Sequence, residues 1–293
     1  MRAVILMSTF NGQEFLSAQL DSILAQQGVG ELCIYIRDDG STDNTIKIIT
    51  DYQAKYNNIF LDRGVNIGAY ASFFQLLKDI KLLDMGDIYL FADQDDFWLP
   101  KKIQRSYAAL KGIDGPALYS SSLSVVDRNL GALGIYRHRR SLEFFDPIYV
   151  NSVTGCSSAW NYQFLELVRI PEDSSDILMH DWWLYLTAMY LGSFHYDEQP
   201  LILYRQHGGN VVGIQSFWQK LKMLPKNSNV GSMSCIKQFL LFLIEYRTEL
   251  IKIESLRAFY AAVDGNKWVP LKASVLTLGN LSIKAFVNSI TLR

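Results

Sequence analysis

An apolar run that ends abruptly in carboxylates constrains this chain more than any other feature. Residues 88–100 read Ile-Tyr-Leu-Phe-Ala-Asp-Gln-Asp-Asp-Phe-Trp-Leu-Pro. The opening residues have the composition of a buried strand, and Asp93, Asp95 and Asp96 follow at once. Like charges crowded at the end of a buried strand repel one another and desolvate badly. A bound divalent cation removes that conflict. Asp93 and Asp95, on either side of Gln94, present oxygen ligands to one hard ion, Mg²⁺ or Mn²⁺, that also grips a diphosphate. The plain alternative is a solvated acidic loop.

A second cluster repeats the plan. Leu32 to Arg37 is β-rich, and Asp38-Asp39-Gly40-Ser41 follows it. Thr42 or Asp43 then caps a helix expected from Thr45 to Tyr56. In an open α/β sheet, ligands bind outside the carboxyl ends of the strands. If the two acidic strands are parallel neighbours, both clusters line one crevice.

With 293 residues, 49% of them apolar, the chain can bury a full core as one large domain or as a domain with an appendage. Charge is uneven along it: residues 1–214 hold 17 Lys and Arg against 25 Asp and Glu, and residues 215–293 hold 11 against 4. Such a basic tail suits an anionic lipid surface better than nucleic acid. Cys33, Cys156 and Cys235 are isolated among apolar residues, which argues for a reducing compartment and against a disulfide frame or a zinc site. The apolar strand Ala3–Ser8 is too short for a signal-peptide core, and no run approaches the roughly 18 apolar residues that span a bilayer. The expectation is a cytoplasmic protein, soluble or peripheral on the inner membrane.

The first half alternates strand and helix signals. Strand Ala3–Ser8 precedes a helix near Gln13–Gln26, and Leu32–Arg37 precedes the helix from Thr45. A short strand at Ile59–Leu61 leads to a helix at Ala69–Leu83, Asp87–Ala92 is a strand, and Pro100 opens a further helix at its first turn. This βαβα order argues for a mostly parallel sheet between helices. The order then breaks. Ala117–Val126 reads as one strand, 135–151 as irregular and aromatic with Arg137-His138-Arg139-Arg140, and Asn161–Arg169 and Asp181–Leu191 as helices. Pro200–Arg205 reads as a strand, a boundary falls near Gly213–Ser216, and the chain is helical and basic from Phe217.

Two segments of the second half carry chemistry. His180-Asp181-Trp182-Trp183 opens a helix, where a carboxylate flanked by large aromatics is partly desolvated and able to accept a proton from a nearby hydroxyl. The plainer reading is a helix cap with a core tryptophan pair. Tyr204-Arg205-Gln206-His207-Gly208-Gly209-Asn210 joins a cation, an imidazole and two glycines in a form suited to phosphate or metal. His138 and His195 lack such context.

Taken together, Ser8-Thr9-Phe10-Asn11-Gly12, Asp38-Asp39-Gly40-Ser41-Thr42-Asp43, Asn66-Ile67-Gly68 and Asp93-Gln94-Asp95-Asp96 with Leu99-Pro100 resemble the nucleotide-sugar half of the family 2 inverting glycosyltransferases. Their fold is called GT-A. The two segments of the second half resemble the bacterial rhamnosyltransferase-like branch, and the likeness spans about residues 3–213. It implies an α/β, Rossmann-like GT-A catalytic domain at 1–214, with a nucleotide-sugar half at 1–100 and an acceptor half at 101–214, followed by a basic helical region at 215–293.

The resemblance also implies roles. Asp39, with Asp38, would read the imide of the base, Ser8 and Phe10 would line the base and ribose pocket, and Asn11 and Asn66 would complete the donor set. The family often has Tyr where Phe10 stands, so a hydroxyl contact is lost there. Asp93 would approach ribose and metal, Asp95 would be the main metal ligand, and His207 and Arg205 would meet metal or diphosphate. Asp181 matches the catalytic base, with His180 in place of the family's Glu. Trp160, Trp182 and Trp183 would stack on acceptor sugars. The implied reaction is metal-dependent inverting transfer, with L-rhamnose from dTDP-rhamnose as the leading donor and a UDP-hexose such as UDP-glucose or UDP-galactose as the alternative. The acceptor would be a saccharide, free or lipid-linked, in bacterial cell-surface polysaccharide. The basic tail, which the likeness does not cover, would by its charge rest on an anionic membrane, or else cover the catalytic domain or pair two copies as a homodimer. A non-catalytic carbohydrate-binding homologue would lack one of Asp93, Asp95 and Asp181, and a nucleotidyltransferase would carry a glycine-rich phosphate loop that Ser8–Gly12 does not form.

Overall fold

The computed structural model describes residues 1–83, 86–138, 143–173, 176–208, 229–254 and 256. The expectations for Arg139, Arg140, Gly209, Asn210 and the start of the basic tail lie outside these residues. The chain forms two compact units: Met1–Ser174 with Met179–Leu224, and Ser175–Leu178 with Pro225–Arg293.

The first unit opens with β1 (Arg2–Thr9), α1 (Leu16–Leu24), β2 (Glu31–Asp38), α2 (Thr45–Gln53), β3 (Ile59–Arg63), α3 (Ala69–Leu83) and β4 (Ile88–Ala92). Ala3 to Met7 and all of β4 are buried without alternation. Continuous burial marks strands covered by helices on both faces. β1 pairs in parallel with β2 on one side and β4 on the other, and β2 pairs in parallel with β3. The two acidic strands are therefore not neighbours: β1 runs between them, and all three carboxyl ends open at the same edge.

The chain continues through β5 (Phe97–Trp98), α4 (Lys102–Leu110), β6 (Ala117–Ser121), β7 (Leu123–Val126), β8 (Ala132–Tyr136), α5 (Asp146–Tyr149), a 3-10 turn at Gly155–Ser157, β9 (Ala159–Trp160), α6 (Tyr162–Leu167), α7 (His180–Leu191), β10 (Ser193–Asp197) and β11 (Ile202–Arg205). The large sheet runs β10-β6-β9-β4-β1-β2-β3, with β9 antiparallel to both its neighbours. A smaller sheet runs β5-β11-β7-β8. This is the mixed α/β architecture of the GT-A fold, a mostly parallel sheet flanked by helices.

The single strand expected at Ala117–Val126 is in fact two strands in two sheets. The switch occurs at Ser122, whose N–H donates to the Asp197 carbonyl (2.9 Å) and whose hydroxyl meets Tyr196 Oη (2.9 Å). Both bonds hold the turn against β10, so the chain leaves the large sheet there. The helix expected from Gln13 starts later, at Leu16, because the Gly12 carbonyl first accepts Phe15 and Leu16 N–H in a turn. α1 and α4 are joined through Gln26, which donates to the Leu99 carbonyl (2.8 Å) and accepts from Ile103 N–H (3.1 Å). The core gathers Ile5, Met7, Leu20, Ile34, Ile36, Leu90, Trp98, Tyr119 and Ile202.

In the second unit, helix Asn229–Glu245 buries Phe242 and Leu243, and helix Arg247–Leu250 buries Leu250. Gln238 Oε1 there accepts Leu178 N–H (2.8 Å). Among the described residues no helix is long and apolar enough to cross a membrane.

Candidate active site

The carboxyl ends of β1 and β2 form one wall. Asp38 is buried and accepts from Thr9 Oγ1 (3.0 Å), Ser41 N–H (2.8 Å) and Ser41 Oγ (2.6 Å). Asp39 is buried beside it and is paired with Arg37 Nη1 at 2.5 Å. It also accepts backbone N–H from Ile67 (2.9 Å) and Gly68 (2.9 Å), so the loop carrying Asn66 closes over it. Gly40 has φ +84°, and the Asn66 nitrogen stands 3.1 Å from where its Cβ would be, which is why this turn takes glycine. Asn66 itself is exposed. Ser8 Oγ donates to Ser72 Oγ (2.7 Å), on whose oxygen Arg37 Nη1 also converges (3.1 Å).

Phe10 is exposed, at 44% of its surface. Asn11 adopts φ 48°, a left-handed conformation that Asn tolerates. Its carboxamide oxygen accepts Thr42 N–H (2.8 Å), tying the β1 loop to the β2 loop. Gln94 ties the same loop to the acidic one: Phe10 N–H donates to Gln94 Oε1 (2.9 Å), and Gln94 Nε2 donates to the Phe10 carbonyl (3.0 Å).

The acidic loop leaves β4 and re-enters sheet structure at β5, which pairs antiparallel with β11. That pairing delivers the second-half residues. His207 Nε2 lies 2.7 Å from Asp95 Oδ2, and Arg205 Nε donates to the Asp95 carbonyl (2.8 Å). Arg205 N–H donates to Asp96 Oδ1 (3.1 Å), and Arg205 Nη1 donates to the Arg128 carbonyl. The Arg205 guanidinium stands 4.5 Å from the Phe15 ring centroid, and the His207 ring lies 4.8 Å from it on the same residue. Arg205 thus holds the loop in shape while His207 meets the Asp95 carboxylate.

Asp93 is pushed up to about 7, first by burial and then by the charges of Asp95 and Asp181. Burial, with Asp95 and Asp93 beyond it, likewise holds Asp96 well above the usual carboxylate range. Ligand atoms of Asp93, Asp96 and Cys156 lie within 4.8 Å of one another. Lys102 reaches under this cluster: its Nζ is 4.1 Å from the Trp98 ring centroid, and burial pulls it down to about 7 against the opposing pull of Cys156 and Asp96. Burial and neighbouring charge hold Asp93 and Asp96 above the ordinary carboxylate range, and oxygen donors crowded in this way beside an imidazole are a set that fits Mg²⁺ or Mn²⁺. His207 meets Asp95, whereas Asp93 gathers with Asp96 and Cys156, so the potential ligand atoms fall into two sets along one loop.

Asp181 lies in the first turn of α7, near enough to this cluster for its charge to raise Asp93. It is 2% exposed and accepts from Asn151 Nδ2 (3.0 Å) and Gly155 N–H (2.9 Å). Burial pushes it up to about 6, and these two hydrogen bonds oppose the rise. His180 is also buried, 4.3 Å from the Phe73 ring and 5.0 Å from Phe91, and burial drops it to about 3. The imidazole is therefore neutral, packed as an aromatic plate behind Asp181.

The three tryptophans divide. Trp182 is half-buried, with its indole N–H on the Pro147 carbonyl (2.7 Å). Trp160 sits inside the large sheet between β4 and β6, and Trp183 is buried with its indole N–H on the Arg169 carbonyl (2.8 Å). Neither buried ring has a face open to a sugar. Asn151, Gly155, Cys156 and Lys102 were not among the sequence candidates. Asn151 and Gly155 act through one amide and one backbone N–H, Cys156 reads as core, and Lys102, among Lys101, Gln104 and Arg105, reads as a solvated helix start.

The sequence model of the family described as Glycosyl transferase family 2 matches residues 4–144. The dTDP-rhamnosyl transferase RfbG of Shigella flexneri is 33% identical over 228 residues, 74% of this chain and 78% of that protein. The chain belongs to glycosyltransferase family 2. It is a glycosyltransferase, and solved structures agree on the fold. The crystal structure of S. aureus TarS 1-349 in complex with UDP-GlcNAc superposes with a TM-score of 0.55 at 14% identity, covering 87% of this chain and 76% of TarS 1-349. The mannosyltransferase PcManGT from Pyrobaculum calidifontis, in complex with GDP-Man and Mn²⁺, superposes with a TM-score of 0.50 at 14% identity, covering 99% of this chain and 86% of that one.

Proposed function

We propose that this glycosyltransferase moves L-rhamnose from dTDP-rhamnose to a saccharide hydroxyl in cell-surface polysaccharide synthesis, with inversion at the anomeric carbon. One observation carries the chemistry: a buried carboxylate, Asp181, is held by two hydrogen bonds opposite the acids that follow β4. The donor rests on the similarity to a dTDP-rhamnosyl transferase over most of both chains.

In this reading the base and ribose lie against Phe10, with Asp39, Ser8, Asn11 and Asn66 around them. The diphosphate lies toward Asp93 and Asp95, near His207 and Arg205. Asp93, Asp95 and His207 would hold a divalent ion, which would neutralise charge on the departing diphosphate. Asp181 takes the proton of the acceptor hydroxyl as it attacks from the face opposite the leaving group, and general-base help of this kind is worth about 10²–10⁴-fold. Its raised pKa, about 6, leaves it ionised at neutral pH yet more basic than an exposed aspartate. In this reading Trp182, the one of the three candidate tryptophans that is not fully buried, contacts the acceptor.

A donor panel tests this. dTDP-rhamnose, UDP-glucose and UDP-galactose are compared, with Mg²⁺ or Mn²⁺ present, for thermal stabilisation and for release of nucleoside diphosphate. The expected result is the largest shift and fastest release with dTDP-rhamnose, since a tight ligand stabilises by mass action. A clear preference for either UDP-hexose overturns the donor assignment.

A further inference from the structure

Beside the backbone N–H groups of its own helix turn, Asp181 accepts two hydrogen bonds from one short segment, the Asn151 amide at its start and the Gly155 N–H at its end. Residues 150–154 have no regular secondary structure, so something else must fix the spacing of these donors. The Asn151 amide is oriented by its own turn, in which its Oδ1 accepts Val153 N–H (3.1 Å). The segment as a whole is gripped by an imidazole from elsewhere. His138 Nε2 lies 2.7 Å from Thr154 Oγ1, and the Asn151 carbonyl faces the same ring. A neutral imidazole offers one donor and one acceptor. One tautomer therefore serves both contacts: a ring N–H toward the Asn151 carbonyl, and Nε2 accepting from the Thr154 hydroxyl.

His138 is itself fastened to the framework. Its backbone N–H donates to Tyr196 Oη (2.9 Å) on β10, and that hydroxyl also meets Ser122 Oγ (2.9 Å). Its ring meets Tyr136 edge-on at 4.9 Å and Tyr196 edge-on at 6.2 Å. The line of support runs from the edge of the large sheet, through one ring, to both ends of the segment that holds Asp181.

We infer that His138 is a positioning residue for the reaction, clamping Asn151–Gly155 so that its two donors set the place and basicity of Asp181. The inference rests on the assignment of Asp181 as the base. Burial pulls the imidazole down to about 4, so the clamp stays neutral and unchanged across the working pH range.

The test uses the whole chain and five variants: His138→Phe, Thr154→Val, their double, Thr154→Ser and Asp181→Asn. Turnover is followed as nucleoside diphosphate release from dTDP-rhamnose, beside the KM for that donor and the melting temperature. A displacement of about 1 Å in a catalytic group costs roughly 10²-fold. His138→Phe and Thr154→Val are each expected to lower kcat by about 10–100-fold with donor KM within about twofold, and Thr154→Ser to restore it. The His138→Phe, Thr154→Val double variant is expected to be no worse than the poorer single one, because both break the same contact. Thr154→Val reads the clamp at a position where the fold is least disturbed, should His138→Phe fold poorly. The inference is overturned if Thr154→Val keeps its kcat while Asp181→Asn is inactive, or if the two losses simply multiply. Full activity in Asp181→Asn overturns the base assignment instead, and the clamp with it.

Discussion

Replacing Gly155 by alanine is the sharpest test of how Asp181 is tuned. A Cβ there would stand 2.7 Å from His180 Nε2, whereas ordinary contact begins at 3.4 Å, so something must move by about 0.7 Å. His180 has no room to yield, stacked as it is 4.3 Å from Phe73 and 5.0 Å from Phe91. The 155 backbone must give way, and with it the N–H that donates to Asp181 at 2.9 Å. A hydrogen bond to a charged group is worth about 1.5–3 kcal/mol, or roughly one to two pH units of the carboxylate's pKa. That bond lowers the Asp181 pKa, so its loss raises it, from about 6 toward roughly 7–8. A base must be deprotonated to act, so the acid limb of the kcat/KM profile moves up by the same amount. The Gly155→Ala variant is expected to lose about five- to fiftyfold at pH 6 and to recover most of it by pH 9. Overpacking should cost about 1–3 kcal/mol of stability as well, which the melting temperature reads separately. An unmoved acid limb, with activity either intact or lowered equally at every pH, would refute the reasoning.

Asp181→Asn should leave donor affinity within a few fold while lowering kcat by about 10²–10⁴-fold, as steady-state kinetics beside dTDP binding would show. The acidic loop predicts a pH-dependent metal effect. Asp93 titrates near 7 in the folded chain against an ordinary 3.8, so the folded state holds more protons and loses stability as pH rises between those values. Added Mg²⁺ or Mn²⁺, binding the ionised acids, should raise the melting temperature more at pH 8 than at pH 5.5; equal shifts at both would count against Asp93 as a ligand. The excess of basic residues in 215–293, 11 against 4, predicts association with anionic vesicles that weakens as salt rises. Sedimentation indifferent to salt and lipid charge would remove that prediction.

How much was legible in the sequence follows from where the signals were local. β1, β2, α3 and β4 carry their own apolar runs, and the sudden carboxylates after β2 and β4 mark the open edge of the sheet. β5 and β9 are two residues each, too short for any periodicity, so neither the smaller sheet nor the antiparallel insertion at β9 could be read. The break at Ser122 depends on partners in β10, some seventy residues away. Trp160 and Trp183 look like sugar platforms in sequence, but one lies within the sheet and the other is sealed by Arg169. Asp181 stood out, whereas its supports did not: a backbone N–H leaves no trace in residue identity, and His138 acts on atoms distant in the chain.

The antiparallel pairing of β5 with β11 has a consequence for biosynthesis. The acids after β4 emerge from the ribosome about a hundred residues ahead of the strand that seats them, and His207 follows that strand. A nascent chain halted before Ile202 has its carboxylates but not the clasp that arranges them. The clasp on the acidic loop therefore forms only after that strand has been made, and cutting this unit between the two would leave neither fragment with it.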